Sequence, residues 1–133
     1  MIVADTNLLV YLYIRGQRTE QAEAVLVRDP LWAAPLLWRS EFRNTLMGLV
    51  RRAALPLEDA IQVANDAERW MGGREYAVLS HRVLQLAAHS GCSAYDCEFV
   101  ALAEDLEMAL VTTDRALLKA FPAIAVAPEV FAA

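Results

Sequence analysis

The chain has 133 residues, with 12 basic against 17 acidic side chains, a formal charge of −5 and an apolar share of 57%. That size and composition predict one folded domain over residues 1–133, able to bury a core without disulfides or a structural metal, and they exclude a disordered tail. The acidic excess excludes a nucleic-acid binder that works through bulk positive charge, because that mode depends on Lys and Arg releasing counterions.

In chain order, the apolar run Met1 to Ala4 ends in Asp5 and reads as a strand, and Leu8 to Ile14 then reads as a helix. Thr19 to Arg28 reads as a second helix, with Thr19 as its N-cap and Glu20 and Glu23 early in it, where the helix dipole favours negative charge. Asp29-Pro30 stops it. Leu31 to Ala34 suits a buried strand, and Pro35 suits the entry to a long helix reaching about Arg52. Pro56 opens a helix over Leu57 to Met71, whose Ala60, Ile61, Ala64, Ala67 and Met71 recur at helical spacing and predict the buried face.

Tyr76 to Leu79 reads as extended. Ser80 is the expected cap of a helix ending at Gly91, and Ser93 of the next, which carries Phe99, Val100, Leu102, Ala103 and Leu106 toward the core. Met108 to Thr112 reads as a strand, Asp114 to Ala120 as a short helix, and Ile124 to Val126 as a last strand. Short strands alternating with helices predict an α/β domain of three α/β/α layers around a mainly parallel sheet. No apolar run approaches the ~20 residues a bilayer span needs, and Asp5 breaks what would be a signal-peptide core. A cytoplasmic protein is expected, with Cys92 and Cys97 as small core residues.

In open parallel sheets, ligands bind beyond the carboxyl ends of the strands. Asp5 and Asp114 stand just after strands, Glu41 stands between Trp38 and Phe42 on the long helix, and Asp96 stands in the first turn of its own. If the four converge, their mutual repulsion calls for a hard divalent cation with oxygen ligands. Plainer roles exist for three of them. Asp5 or Asn7 suits a cap of the first helix, Asp114 suits a cap of its helix, and Ser93-x-x-Asp96 resembles a capping box. Glu41 has Leu37, Trp38, Asn44 and Thr45 at helical spacing, so no base is placed for a surface ion pair.

Asp5-Thr6-Asn7, Trp38-Arg-Ser-Glu41, Tyr95-Asp96 followed by Phe99 to Ala103, and Leu110-Val-Thr-Thr-Asp114 look like the successive motifs of PIN-domain proteins. The nearest likeness is to the VapC type, the toxin ribonuclease of bacterial toxin-antitoxin pairs. The resemblance runs from Ile2 to about Val126, with no family motif between Pro56 and Arg82. It implies a PIN-like fold and a Mg2+- or Mn2+-dependent endoribonuclease whose metal ligands and catalytic residues are Asp5, Glu41, Asp96 and Asp114, with Thr112 and Asn7 supporting them. It further implies RNA as substrate, a small antitoxin protein as partner, a homodimer, and products ending in 5′-phosphate and 3′-hydroxyl. Setting those four acids aside leaves 13 against 12 bases, so nearly all the excess charge belongs to one site.

Arg39 and Arg43, on the helix that carries Glu41, are the expected RNA contacts, through phosphate; a plain solvated helix face is the equal alternative. His81 and His89 sit beside no acidic motif, and a surface or structural role is expected of them. A dehalogenase-type phosphotransferase needs Asp-x-Asp where the chain has Asp5-Thr6-Asn7. A receiver domain needs a Lys after a late strand, and the one Lys, Lys119, lies inside a short helix. The rival from another class is a catalytically silent PIN-fold binding module, which a broken acidic quartet would signal; all four acids are present.

Overall fold

The computed structural model describes residues 1–133. Five short strands form one sheet: β1 (Ile2–Ala4), β2 (Trp32–Pro35), β3 (Glu75–Tyr76), β4 (Leu110–Val111) and β5 (Ala125–Val126). Eight helices connect and follow them: α1 (Thr6–Tyr13), α2 (Thr19–Arg28), α3 (Trp38–Arg51), α4 (Leu57–Met71), α5 (Ser80–Ser90), α6 (Ala94–Leu106), α7 (Arg115–Ala120) and α8 (Pro128–Phe131). The strand order is β3-β2-β1-β4-β5 and every pairing is parallel. Parallel strands need crossovers, and helices supply them, flanking the sheet in the expected α/β/α arrangement.

The central strands are short because they are buried from end to end. Ile2, Val3 and Ala4 are at most 2% exposed, and Trp32, Ala33 and Ala34 are fully buried. Continuous burial with no polar alternation is the mark of a strand covered on both faces. On one side α6 lies against β1, β2 and β4 with α5 packed beside it, and on the other α1 packs against α2, α3 and α4. Helix α6 is the most buried of the helices, with Cys97 and every residue from Phe99 to Ala103 inside the core. Its two ends are well defined. Ser93 accepts the Asp96 N–H at 3.0 Å at the start, and Glu107 takes a left-handed conformation at the end.

Several expectations are corrected. Thr19 is the first residue of α2 and not its cap; its buried hydroxyl turns inward, accepting the Gly16 N–H at 2.9 Å and donating to the Tyr11 carbonyl at 2.8 Å. Ser80 likewise begins α5 without a side-chain capping bond. Pro35 ends β2 and does not open α3, and α1 begins two residues before Leu8, at Thr6. A strand terminus tolerates Pro35 because the missing N–H falls where the ladder stops. Ile61 points to solvent at 54% exposed, while Ala60, Ala67 and Met71 are buried as the spacing requires. Helix α8 has no counterpart in the periodicity, being a single turn opened by Pro128. No helix is long and apolar enough to cross a membrane.

The order of the sheet fixes the place of the site. From β1 the chain steps outward through β2 to β3, then returns to lay β4 on the other edge of β1. The connections therefore leave in opposite directions between β1 and β4, and a crevice opens at their carboxyl ends.

Candidate active site

Asp5 leaves the end of β1 into that crevice, and its position is doubly fixed. One carboxylate oxygen accepts the Thr6 N–H at 2.8 Å, capping α1, and the other accepts the buried Thr112 hydroxyl at 2.6 Å. Thr112 follows β4, and its hydroxyl also accepts the Asp114 N–H at 3.0 Å. Asp114 in turn caps α7 by accepting the Leu117 N–H at 3.1 Å. Capping and site roles thus coincide: both acids hold a helix terminus with one oxygen while lying at the same crevice.

Glu41 enters from the first turn of α3, where it accepts the buried Thr6 hydroxyl at 2.6 Å. Thr6 is a link the sequence reading missed. It ties α1 to α3 across 35 residues, a separation that leaves no local signal. Asp96 completes the group from the first turn of α6. Only half of the capping box forms: Ser93 Oγ accepts the Asp96 N–H, but the Asp96 carboxylate does not return to the Ser93 backbone N–H and lines the crevice instead.

Together these residues line a cleft of about 220 Å³ with eight polar side chains and no apolar one: Asp5, Thr6, Asn7, Glu41, Asn44, Thr45, Asp96 and Asp114. Asn44 and Thr45 were not singled out from the sequence as site residues. Their signal was present in the spacing, because residues three and four beyond Glu41 share its helix face.

No base enters the cleft, and the carboxylates register its absence. Burial pushes the Asp5 carboxyl up; the Thr112 and Thr6 hydrogen bonds oppose this, and the nearby Asp96 and Asp114 charges add to it. Burial also raises Glu41, against its Thr6 bond and with repulsion from Asp5, Asp96 and Glu98. Asp96 is raised by burial and by Asp114, against the Ser93 hydroxyl. Carboxylates that raise one another in this way are short of positive charge.

The donor set is entirely oxygen, which suits a hard divalent cation and not a soft one. No three acidic, His or Cys side chains converge closely enough to ligate one point. An ion fitting this cleft would take one or two carboxylates directly and complete its shell with water, as Mg2+ commonly does. The fit is therefore chemical: the residues supply the charge and the oxygens.

The arginines are placed differently from expectation. Arg39 is committed elsewhere, donating from Nε and Nη2 to the two oxygens of Glu75 at 2.6 and 2.8 Å and from Nη1 to Glu68 at 2.8 Å. Arg43 lies 3.8 Å from Glu68 in the same direction. Arg39 is two residues before Glu41, hence about 200° around the helix axis from it, so the arginine strip is on the right helix but the wrong face. His81 is exposed beside α6, next to Asp105 and away from the cleft, and His89 bonds only the Gln85 carbonyl of its own helix. Cys97 is fully buried as expected, whereas Cys92 is only partly so.

Comparison with known proteins agrees with this architecture. A family model described as PIN domain matches residues 2–122. Ribonuclease VapC3 of Pyrobaculum aerophilum is 29% identical over 126 residues, spanning 92% of this chain and 96% of that protein. The crystal structure of PAE2754, also from Pyrobaculum aerophilum, superposes with a TM-score of 0.77 at 20% identity, covering 98% of this chain and 85% of the other. A toxin-antitoxin complex from Klebsiella pneumoniae contains a chain that superposes with a TM-score of 0.67 at 19% identity, covering 96% of this chain and 98% of its own. At such identities the two structures speak to the fold alone. With a family match across nearly its whole length, the chain belongs to the PIN-domain family.

Proposed function

We propose that the protein is an endoribonuclease of the toxin-antitoxin type, dependent on Mg2+ or Mn2+ held by Asp5, Glu41, Asp96 and Asp114. The observation that carries this reading is the convergence of four carboxylates from four separate elements on one wholly polar cleft with no cationic side chain inside it. The likeness to a protein named a ribonuclease supports RNA as the substrate. A divalent ion held there by these carboxylates would supply positive charge toward a phosphate and would make a nearby water more acidic.

The protein's own part is positioning. Thr112 and the Thr6 N–H hold Asp5 in one rotamer, and the Thr6 hydroxyl holds Glu41. Because those bonds exist before substrate arrives, little reorganisation remains at the moment of reaction. Asn7, Asn44 and Thr45 offer uncharged donors on the cleft wall, where a phosphate or ribose hydroxyl can lie without meeting another carboxylate. Attack by water and departure of the 3′-oxygen leave a 5′-phosphate and a 3′-hydroxyl.

On the same reading the protein works in the cytoplasm, pairs with a second copy of itself, and is restrained by a small antitoxin whose cationic side chain neutralises the cleft. The likeness to a chain in a toxin-antitoxin complex supports that partner. The test is cleavage of total RNA by the purified protein with added Mg2+ or Mn2+. Activity falls at least about 100-fold with EDTA and in Asp5→Asn and Asp96→Asn, the loss of several kcal/mol of charge stabilisation. Cutting that survives both chelation and these substitutions rejects the metal mechanism, and RNA left intact by a folded, metal-supplied protein favours a silent binding module.

A further inference from the structure

The cleft is negative and so is its proposed substrate, so an incoming strand needs cations at the approach, within the roughly 8 Å over which charges act at physiological salt. Helix α3 does not provide them beside the cleft: Arg39 is tied to Glu75 and Glu68, Arg43 leans the same way, and Arg51 stands almost three turns beyond Glu41. Uncommitted cations stand instead near the Thr112 to Asp114 segment that flanks the cleft. The Tyr11 hydroxyl lies 3.4 Å from Thr113 Oγ1, and Thr113 is the residue between Thr112, which holds Asp5, and Asp114. The guanidinium carbon of Arg18 sits over the Tyr11 ring, 5.6 Å from its centre. Arg115 directly follows Asp114 and is exposed. Neither Arg18 nor Arg115 takes part in any of the molecule's ion pairs.

Arg18 is also held in place. The loop between α1 and α2 closes around the buried Thr19 hydroxyl, which binds Gly16 N–H and the Tyr11 carbonyl, while the Arg18 carbonyl accepts the Ala22 N–H at 3.1 Å. A guanidinium held over an aromatic ring gains a cation–π contact while its N–H groups stay available to a ligand. Those groups form a planar fork matched to phosphate oxygens, and fixing it beforehand reduces the entropy lost on binding. We propose that Arg18, seated on Tyr11, and Arg115 form a phosphate-binding rim that guides single-stranded RNA across the α1–α2 loop and the start of α7 into the acidic cleft. The proposal rests on the nuclease reading and names the face by which that site receives its substrate.

The test measures binding and cutting separately. A short fluorescein-labelled single-stranded RNA is titrated by anisotropy with the Asp96→Asn protein between about 50 and 200 mM salt, with and without Arg18→Gln and Arg115→Gln. Each substitution is expected to reduce the slope of log affinity against log salt by about 0.7, the value per phosphate of a single strand, and the pair by about 1.4. Arg69→Gln removes the same charge from α4, which lends no side chain to the cleft, and is expected to leave the slope unchanged. In the otherwise wild-type enzyme, the double variant raises KM for RNA more than it lowers kcat. RNA that is cut but bound with an unchanged slope in the double variant overturns the rim and leaves the nuclease standing. RNA bound with the arginine-dependent slope yet never cut sustains the rim and rejects the nuclease. A wild-type protein that binds no RNA overturns the rim.

Discussion

Helix α3 separates two groups of carboxylates that solve the same electrostatic problem in opposite ways. On one side Glu75, with its side chain 10% exposed, receives two bonds from Arg39 and one from Trp38 Nε1 at 2.7 Å, and those bonds, the Arg39 pair first, hold its carboxyl below the ordinary range. On the other side Glu41 and its neighbours receive hydroxyl and backbone donors but no cation, and burial holds them above that range. Burial is deeper on the cleft side, most of all at Asp5, and no arginine is there to offset it. A carboxylate neutralised from within the chain stabilises the fold, whereas carboxylates left unpaired at a crevice cost stability and keep their charge for something that is not part of the chain.

The largest effect is on chemistry: Asp96→Asn, which removes one unpaired charge, abolishes RNA cleavage while Glu75→Gln leaves cleavage per folded molecule unchanged. Stability responds the other way. Glu75→Gln takes from Arg39 one of its two charged partners, leaving Glu68, and weakens the Trp38 bond, and chemical denaturation should show a loss of about 2 kcal/mol, moderated because Arg39 is about one-third exposed. A variant as stable as wild type would remove the network from any structural role.

Smaller effects sharpen the acidic side. Thr112→Val keeps the side-chain shape but takes away the donor to Asp5 and the acceptor for the Asp114 N–H. Loss of such a supporting bond is expected to weaken divalent-ion affinity about tenfold, read as a rise in the Mg2+ concentration giving half-maximal activity. The smallest effect concerns pH. Asp5, Glu41 and Asp96 bind their protons more tightly when folded than when unfolded, so the unfolded chain ionises first. Stability is lost as pH rises from the ordinary carboxylate range through the raised values and stays lost above them. Metal-free Asp96→Asn should therefore melt above metal-free wild type at neutral pH, with the gap closing toward acid pH and on adding Mg2+. A gap that is independent of both pH and Mg2+ would mean that the substitution acts through packing.

What the sequence made legible follows the range of the forces involved. Asp5, Asp96 and Asp114 stand at strand ends and helix starts, positions announced by apolar runs and local capping chemistry, and their places were readable. Helix α4 was readable from end to end because its apolar spacing and the glycines after it are local. The partners of Arg39 lie 29 and 36 residues away and those of Thr6 and Thr112 lie 35 and 107 away, and no periodicity encodes such contacts. The partners of Arg39 are hidden for this reason: its helix is legible, but the face that meets the cleft depends on Glu75 arriving from β3. Thr19 was misread as a cap because a hydroxyl at a helix start has the same local appearance whether it turns to its own helix or to a neighbouring loop.

The placement of β4 beside β1 has a consequence in time. Thr112 must reach back 107 residues to secure Asp5, and Asp114 lies further still, so the cleft cannot close until the chain has grown past Asp114. During synthesis β1, β2 and β3 and their helices emerge first, with one edge of β1 still waiting for its neighbour. A ribosome-bound chain that ends before Asp114 holds only three of the four carboxylates, and nothing fixes the first of them from the β4 side. On the nuclease reading, this order of assembly withholds the activity from the growing chain while it is still surrounded by the messenger and ribosomal RNA that produce it.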